Sequence, residues 1–329
     1  MNQHIYGEDK MYRVIKPEGF GNIQLEEVPI PDVNANQIRV KTDTTLISRG
    51  SELFRRYIME ESVSPSIMGY SLTGVVDEVG NQVADYKVGD RVMSVAPHAE
   101  YIVTDINPTD GRTVHLHTDV GFEEGTFLPL ATSAVAWSDS SGVKEGDTVV
   151  ILGQGLVGSL MMQVIRGYSP ERIITVDALS LRCKLSLQLG ADVVINAEDK
   201  EPIQAVRQLT DGKGADLVID CVGGHAGVKS FEQAQDMVRQ YGIIQLIALY
   251  QQKPLPLHSS KMMNKRFVAG ILTTESRTSL ATRALQKIQN GEIRASDMIT
   301  HRFNYTEAKD AFDLLWNSPG ETLGVLIKW

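Results

Sequence analysis

The spacing of apolar positions changes once along this chain, near Gly121. Before it, short runs such as QIRVKT and YIVTD alternate apolar and polar residues, and the turn clusters PEGFGN, PDVNAN and NPTDGR separate them. Period-two alternation bounded by Gly, Pro, Asn and Asp predicts half-buried strands. TGVVDEVGNQVADYKVGDRVMSV reads as strand, turn, strand. The set predicts a small barrel-like β domain over residues 1–125. After Gly121, FEEGTFLPLATSAVAWSDS is long enough for a helix, with Glu123 and Glu124 near its positive end. The apolar runs DTVVILG, RIITVDA, DVVINA, DLVIDCVGG, GIIQLIALY and RFVAGIL follow. They alternate with the helical patterns LVGSLMMQVIRGY, LRCKLSLQLG, IQAVRQLT and FEQAQDMVRQY. Continuous apolar strands between amphipathic helices predict a parallel sheet covered on both faces, an α/β doubly wound domain over residues 126–272. The tail, residues 273–329, reads as helix, helix, strand and is expected to return to the first domain.

Composition narrows the function. The chain has 329 residues, long enough for two domains, each with its own core. Hydrophobic residues are 42% and charged residues 22%, as in globular proteins. The net charge of −9 argues against nucleic acid and against anionic membrane surfaces. MNQHIYGEDK has no apolar core of a secretory signal, and no apolar run approaches a membrane span. Two cysteines, Cys183 and Cys221, sit in apolar segments, so a reducing cytoplasmic setting without disulfides is expected.

VVILGQGLVGSLMMQVI carries Gly153, Gly155 and Gly158 in G-x-G-x-x-G spacing. The motif is weak alone, but here it leaves a strand and opens a helix, the context that gives it meaning. The turn Gly153, Gln154, Gly155, Leu156, Val157, Gly158 is expected to cradle a pyrophosphate on the helix N-terminus. Asp177 stands 19 residues after Gly158 at the end of the next strand. A carboxylate there accepts from ribose hydroxyls and repels a 2′-phosphate, which favours NAD over NADP. Arg182, five residues on, softens that exclusion. Ligands in parallel sheets bind at the carboxyl ends of strands. Cys221, Val222 and Gly223, with Ala248, Leu249 and Tyr250, are therefore expected to border the nicotinamide. A buried Cys221 is read as a small hydrophobe rather than a reactive thiol.

With these parts in order, the whole chain resembles the medium-chain dehydrogenase/reductase superfamily. PDVNANQIRVKT, GVVDEVGNQVADYKVGDRV, AEYIV and KGADLVIDCVGG look like its landmarks. The resemblance implies a GroES-like β domain, a Rossmann domain and a return segment. In zinc-containing members the metal ligands fall where this chain has Ser48, Tyr70 and Leu128, and a structural zinc lobe follows the DRV strand. Here DRVMSVAPHAEY leaves no room for that lobe. Ser, Tyr and Leu do not make a tetrahedral zinc site. The pattern looks most like a zinc-free subgroup that includes bacteriochlorophyllide-type and sugar or cyclitol dehydrogenases.

Without a metal, side chains must move the proton while the nicotinamide handles the hydride. Tyr70 stands where the family keeps a ligand, so its hydroxyl is expected at the substrate oxygen. His98 is a candidate proton shuttle. Ser48 is a candidate relay. Glu52 and Arg49 would pair with each other or hold substrate hydroxyls. His115 and His117 lie on one face of a strand but lack a third metal ligand nearby. Met161, Met162, Met262 and Met263 read as core filler. The expected activity is a zinc-independent, NAD-dependent interconversion of a secondary alcohol and ketone on a polar small-molecule substrate, a sugar or cyclitol. The alternatives are an NADPH-dependent quinone or enoyl reductase and a dinucleotide-binding protein without turnover. A homodimer through the edge strand RFVAGIL is expected by family analogy.

Overall fold

The structure is a computed structural model that describes residues 9–107, 110–249 and 253–329. The expected turn NPTDGR and the residue Tyr250 therefore fall partly or wholly outside the described residues, as does most of the N-terminal decapeptide. Among the described residues seven strands come first: β1 (Lys10–Ile15), β2 (Gln24–Pro29), β3 (Gln37–Ile47), β4 (Leu72–Val79), β5 (Arg91–Ser94), β6 (Tyr101–Asp105) and β7 (Thr113–His115). Then come β8 (Thr148–Leu152), β9 (Arg172–Asp177), β10 (Val193–Asn196), β11 (Ala215–Asp220), β12 (Val238–Leu246) and β13 (Arg266–Ala269). The chain closes with β14 (Ile299–Asn304) and β15 (Gly324–Lys328). It divides into two compact units. One holds the residues up to Pro129 with His301–Trp316 and Val325–Trp329; the other holds Leu130–Thr300 with Asn317–Gly324.

The first unit is antiparallel β. β1 pairs with β2, and a larger sheet runs β14-β15-β3-β4-β5-β7, with β6 also on β3. β3 is its spine. Ile38, Val40 and Thr42 are buried in alternation, then Thr44 to Ile47 are buried without a break. The alternation stops where β15 and β4 flank the strand, pairing Leu46 with Leu326 and Thr45 with Leu72. One core gathers Ile47, Leu53, Tyr57, Met68, Phe312 and Ile327; a second gathers Ile38, Val40, Leu72, Val76, Val92 and Ile102.

The second unit is one parallel sheet in the order β10-β9-β8-β11-β12-β13. Val150, Ile174, Val218 and Ile244 are fully buried, as strands covered on both faces require. The helices include Leu156–Arg166, Ser180–Leu189, Pro202–Leu209, Gly227–Met237 and Arg277–Gln289. No helix among the described residues is long and apolar enough to cross a membrane.

Some elements differ from the sequence pattern. The helix expected over FEEGTFLPLATSAVAWSDS is two, Phe122–Gly125 and Leu128–Ser140. Pro129 lacks an N–H and sits in the first turn of the second, where none is needed. Val238–Tyr241, expected as helix, belongs to β12, whose β-branched start pairs Val238 with Ala215. β14 was not anticipated. Met161 and Met162 are core residues, but Met263 is 65% exposed, which corrects its reading as core filler.

Candidate active site

In the first unit β3 runs into a nine-residue π-helical segment, Arg49–Tyr57. Such turns are rare and gather at functional sites. Leu53 and Tyr57 anchor it in the core. At its far end Lys16, fully buried, donates to the main-chain oxygens of Met59 and Glu61. The buried ammonium thus ties down the chain that leaves the segment, two and four residues past Tyr57.

At its near end lies a buried polar trio. Glu52 is fully buried, and its Oε2 accepts the Ser48 N–H at 2.8 Å. Its Oε1 lies 2.7 Å from His98 Nε2. His98 is also fully buried, edge-on to Phe312 with ring centroids 5.9 Å apart. Its main-chain N–H donates to Met68 at 2.7 Å, and its carbonyl accepts the Val14 N–H at 2.9 Å. Gly69 has φ +104°, and a Cβ there would stand 2.7 Å from His98 N and 2.8 Å from Cδ2. Only glycine leaves the imidazole its slot. One carboxylate therefore joins the Ser48 turn, through His98, to the segment that carries Gly69 and Tyr70. His98 Nδ1 is buried and has no hydrogen-bond partner among the described residues.

The other first-unit candidates lie as follows. Tyr70 is half-buried, next in sequence to Gly69. Arg49 donates to the Leu315 carbonyl and lies over the Phe54 ring, 5.5 Å from its centre. Its guanidinium is thus used to anchor the segment. His115 is 3.0 Å from the Asp85 carbonyl and stacks on Tyr86 at 4.4 Å. A cavity of about 610 Å³, lined by residues that include Arg13, Ala96, Tyr101, Asp105 and Arg112, touches neither Ser48 nor Tyr70.

In the second unit the glycine turn follows β8. A Cβ on Gly158 would lie 1.8 Å from the Gly153 carbonyl oxygen, so helix and strand meet at a distance only glycine allows. Asp177 ends β9; its Oδ2 accepts the Gln154 N–H at 2.6 Å and its Oδ1 the Leu179 N–H at 2.9 Å. Arg182 Nη1 is 3.9 Å from Asp177 Oδ2. Burial holds this guanidinium below its ordinary range, and Asp177 works in the opposite direction. A Cβ on Gly153 would meet Val222 at 2.8 Å, and one on Gly223 would meet the Leu249 carbonyl at the same distance. Residues from the carboxyl ends of β8, β9, β11 and β12 thus border one another. Burial pushes the Cys221 thiol well up, and Cys183 is pushed up to about 11, so both are inert at neutral pH.

Asp220 was not anticipated. It ends β11 fully buried, and its Oδ1 accepts the Val222 N–H at 3.1 Å and the Ser230 hydroxyl at 2.8 Å. Its carbonyl accepts the N–H groups of Ile247 and Ala248 at 3.0 and 2.9 Å. Burial pushes its carboxyl up to about 7. The clue was available: an acid closing an apolar strand, as at Asp177.

In the zinc-containing members of the family that the chain resembles, the ligands fall at the positions of Ser48, Tyr70 and Leu128. Leu128 is fully buried and has no donor atom. His98 and Glu52 are committed to each other. No group of three or more His, Cys, Asp or Glu side chains suited to a metal occurs among the described residues. These residues do not fit a zinc ion.

The two halves match known families separately. Residues 34–137 match the alcohol dehydrogenase GroES-like domain, and residues 157–290 match the zinc-binding dehydrogenase family. Sorbitol dehydrogenase of Bacillus subtilis is 21% identical over 93% of this chain and 94% of its own. D-arabitol-phosphate dehydrogenase of Enterococcus avium is 25% identical over 94% and 95%. An Escherichia coli oxidoreductase/dehydrogenase of unknown specificity superposes with a TM-score of 0.85 at 21% identity, covering 97% of this chain and 99% of its own. Barrel-type sheet, parallel sheet with its glycine turn, and these likenesses over nearly the whole length converge: the chain belongs to the medium-chain dehydrogenase/reductase superfamily.

Proposed function

We propose that the chain is an NAD-dependent, zinc-independent dehydrogenase that interconverts a secondary alcohol and a ketone on a polyol. Its class, an NAD(P)-dependent alcohol dehydrogenase/reductase, is that of its relatives. The names of the sorbitol and arabitol-phosphate enzymes favour a polyol. One observation carries the metal-free reading: Glu52 bridges Ser48 and His98, with both Glu52 and His98 fully buried. When bound, the nicotinamide accepts or donates the hydride. The chain's residues manage the proton. In oxidation the carbinol C–H bond breaks with its electron pair, which the nicotinamide would take as hydride, and the hydroxyl proton would pass by way of the Ser48 or Tyr70 hydroxyl to solvent. The Ser48 and Tyr70 hydroxyls are the groups we assign to the carbinol oxygen. Glu52 and His98 are positioning residues, since both are fully buried; they fix the Ser48 turn and the Tyr70 segment in register.

The Rossmann unit is assigned the cofactor, with Gly153 to Gly158 on the pyrophosphate and Asp177 on the adenosine ribose. Asp177 already accepts two main-chain N–H groups, so its charge is fixed where a 2′-phosphate would approach. That supports NAD. The chain is proposed to act in the reducing cytoplasm as a homodimer. The edge strand β13 leaves Phe267 41% exposed, with Ile271 and Leu272 exposed beyond it. Light scattering at micromolar concentration should give a dimer mass; a monomer would refute this. The deciding experiment for the enzyme is a polyol panel with NAD before and after chelator. Unchanged turnover supports the reading, and activity lost to chelator and restored by zinc overturns it.

A further inference from the structure

The π-helical segment carries a half-buried cation, Arg56, two of whose nitrogens, Nε and Nη1, have no acceptor among the described residues. Arg56 lies four residues after Glu52, which lies four after Ser48. Hydrogen bonds in a π-helix run i→i+5, so one turn takes roughly four to five residues. The three therefore fall along one stripe. Ser48 and Glu52 on that stripe are buried. Arg56 Nε and Nη1 are closed off from solvent, and neither has a hydrogen-bond partner.

Four other guanidinium groups of the same unit are answered. Arg13 meets Glu26, Arg39 meets Asp77 and Glu78, and Arg302 meets Glu123. Arg91 donates to the carbonyls of His117 and Val120. A guanidinium cannot shed its proton, and enclosed charged donors without acceptors are costly. Such a group is expected where an anion from outside the chain completes it.

We propose that Arg56 is a specificity-determining residue that binds an oxyanion, a phosphate monoester or a carboxylate, carried by the polyol. The proposal rests on the reading of Ser48 and Tyr70 as the groups at the carbinol. The stripe then holds a polyol by both ends: the charged end at Arg56, the reacting carbon near Ser48. Anchoring the charged end fixes which hydroxyl is presented for oxidation.

The test uses the NAD-saturated wild-type enzyme with Arg56→Met and Arg56→Lys. Each is given a neutral polyol, its phosphate ester and the matching sugar acid. Wild type is expected to prefer one charged substrate by at least about tenfold in kcat/KM, the scale of one charge-assisted hydrogen bond. The ester and acid arms tell which oxyanion it is. Arg56→Met loses the preference, and Arg56→Lys keeps part of it. Inorganic phosphate alone should raise the melting temperature of wild type and not of Arg56→Met. Equal use of neutral and charged polyols by wild type, or an undiminished preference in Arg56→Met, overturns the proposal. If no polyol is turned over while phosphate still stabilises only through Arg56, the dehydrogenase reading fails and the anion site stands. If neutral polyols turn over and phosphate acts without Arg56, the anion site fails and the dehydrogenase reading stands.

Discussion

Two buried acids carry most of what is distinctive at the residue scale. Burial pushes the Asp220 carboxyl up from the ordinary 3.8 to about 7, because it penalises the anion more than Ser230 and the Val222 N–H relieve it. The folded chain thus holds a proton that the unfolded chain releases. Its contribution to stability is complete below the unfolded value and is lost as pH rises through about 7. Asp220→Asn removes that slope, so melting temperature should fall less between pH 5 and pH 8 in the variant than in wild type. Parallel melting curves would contradict the assignment. Glu52→Ala leaves the buried His98 ring nitrogen and the Ser48 N–H without their partner, which costs on the order of 1–3 kcal/mol for each, read by denaturant titration. Glu52→Gln keeps the shape without the charge. If Glu52 positions Ser48, its kcat should drop about a hundredfold with KM little changed. A rise in KM alone would point to plain substrate binding. The place of Asp177 at the end of β9 was legible because the apolar run RIITVDA ends there, at the distance from the glycines that the motif leads one to expect. Asp220 ends a strand in the same way, but no spacing marks it. That Arg49 would tie to the Leu315 carbonyl was not legible, because the partner lies hundreds of positions away in sequence.

At the scale of elements, strands and helices of the second unit were read from periodicity alone. The junction of Met237 and Val238 was misplaced because DMVRQY fits either period. The π-helical turn was invisible for a related reason: SRGSELFRRY has no apolar spacing that separates i→i+4 from i→i+5 bonding. Its ends are held by tertiary partners, Lys16 among them. Lys16→Met should strip the cap from the Met59 and Glu61 carbonyls and lower stability by about 1–3 kcal/mol, measured by urea unfolding. An unchanged midpoint would mean that water replaces the ammonium without cost. Gly158→Ala sets a methyl 1.8 Å from a carbonyl oxygen, so the helix must lift from the strand. NADH binding by fluorescence should weaken at least about tenfold, a loss of roughly 1.4 kcal/mol. Undiminished affinity would show that the turn tolerates the shift.

At the scale of the whole molecule, the strand order of the parallel sheet and the barrel-type sheet agree with the fold read from the sequence. β15 pairs with β3 across nearly the full chain length, and Lys328 reaches Asp43 at 2.8 Å. That long closure follows from topology rather than from any local pattern. The cofactor preference is a property of the whole chain. NADH should exceed NADPH in kcat/KM by at least about tenfold if the Asp177 charge governs entry. Equal use would mean that Arg182 neutralises it.

A π-helical turn spends one more residue per turn of hydrogen bonding than an α-helix. Deleting a single residue between Glu52 and Arg56 would let the segment relax into ordinary α form. Everything beyond the deletion would rotate against everything before it, carrying Arg56 and Tyr57 to new azimuths while Ser48 stayed on β3. In such a scaffold selectivity can change by shortening the chain, with no side chain exchanged.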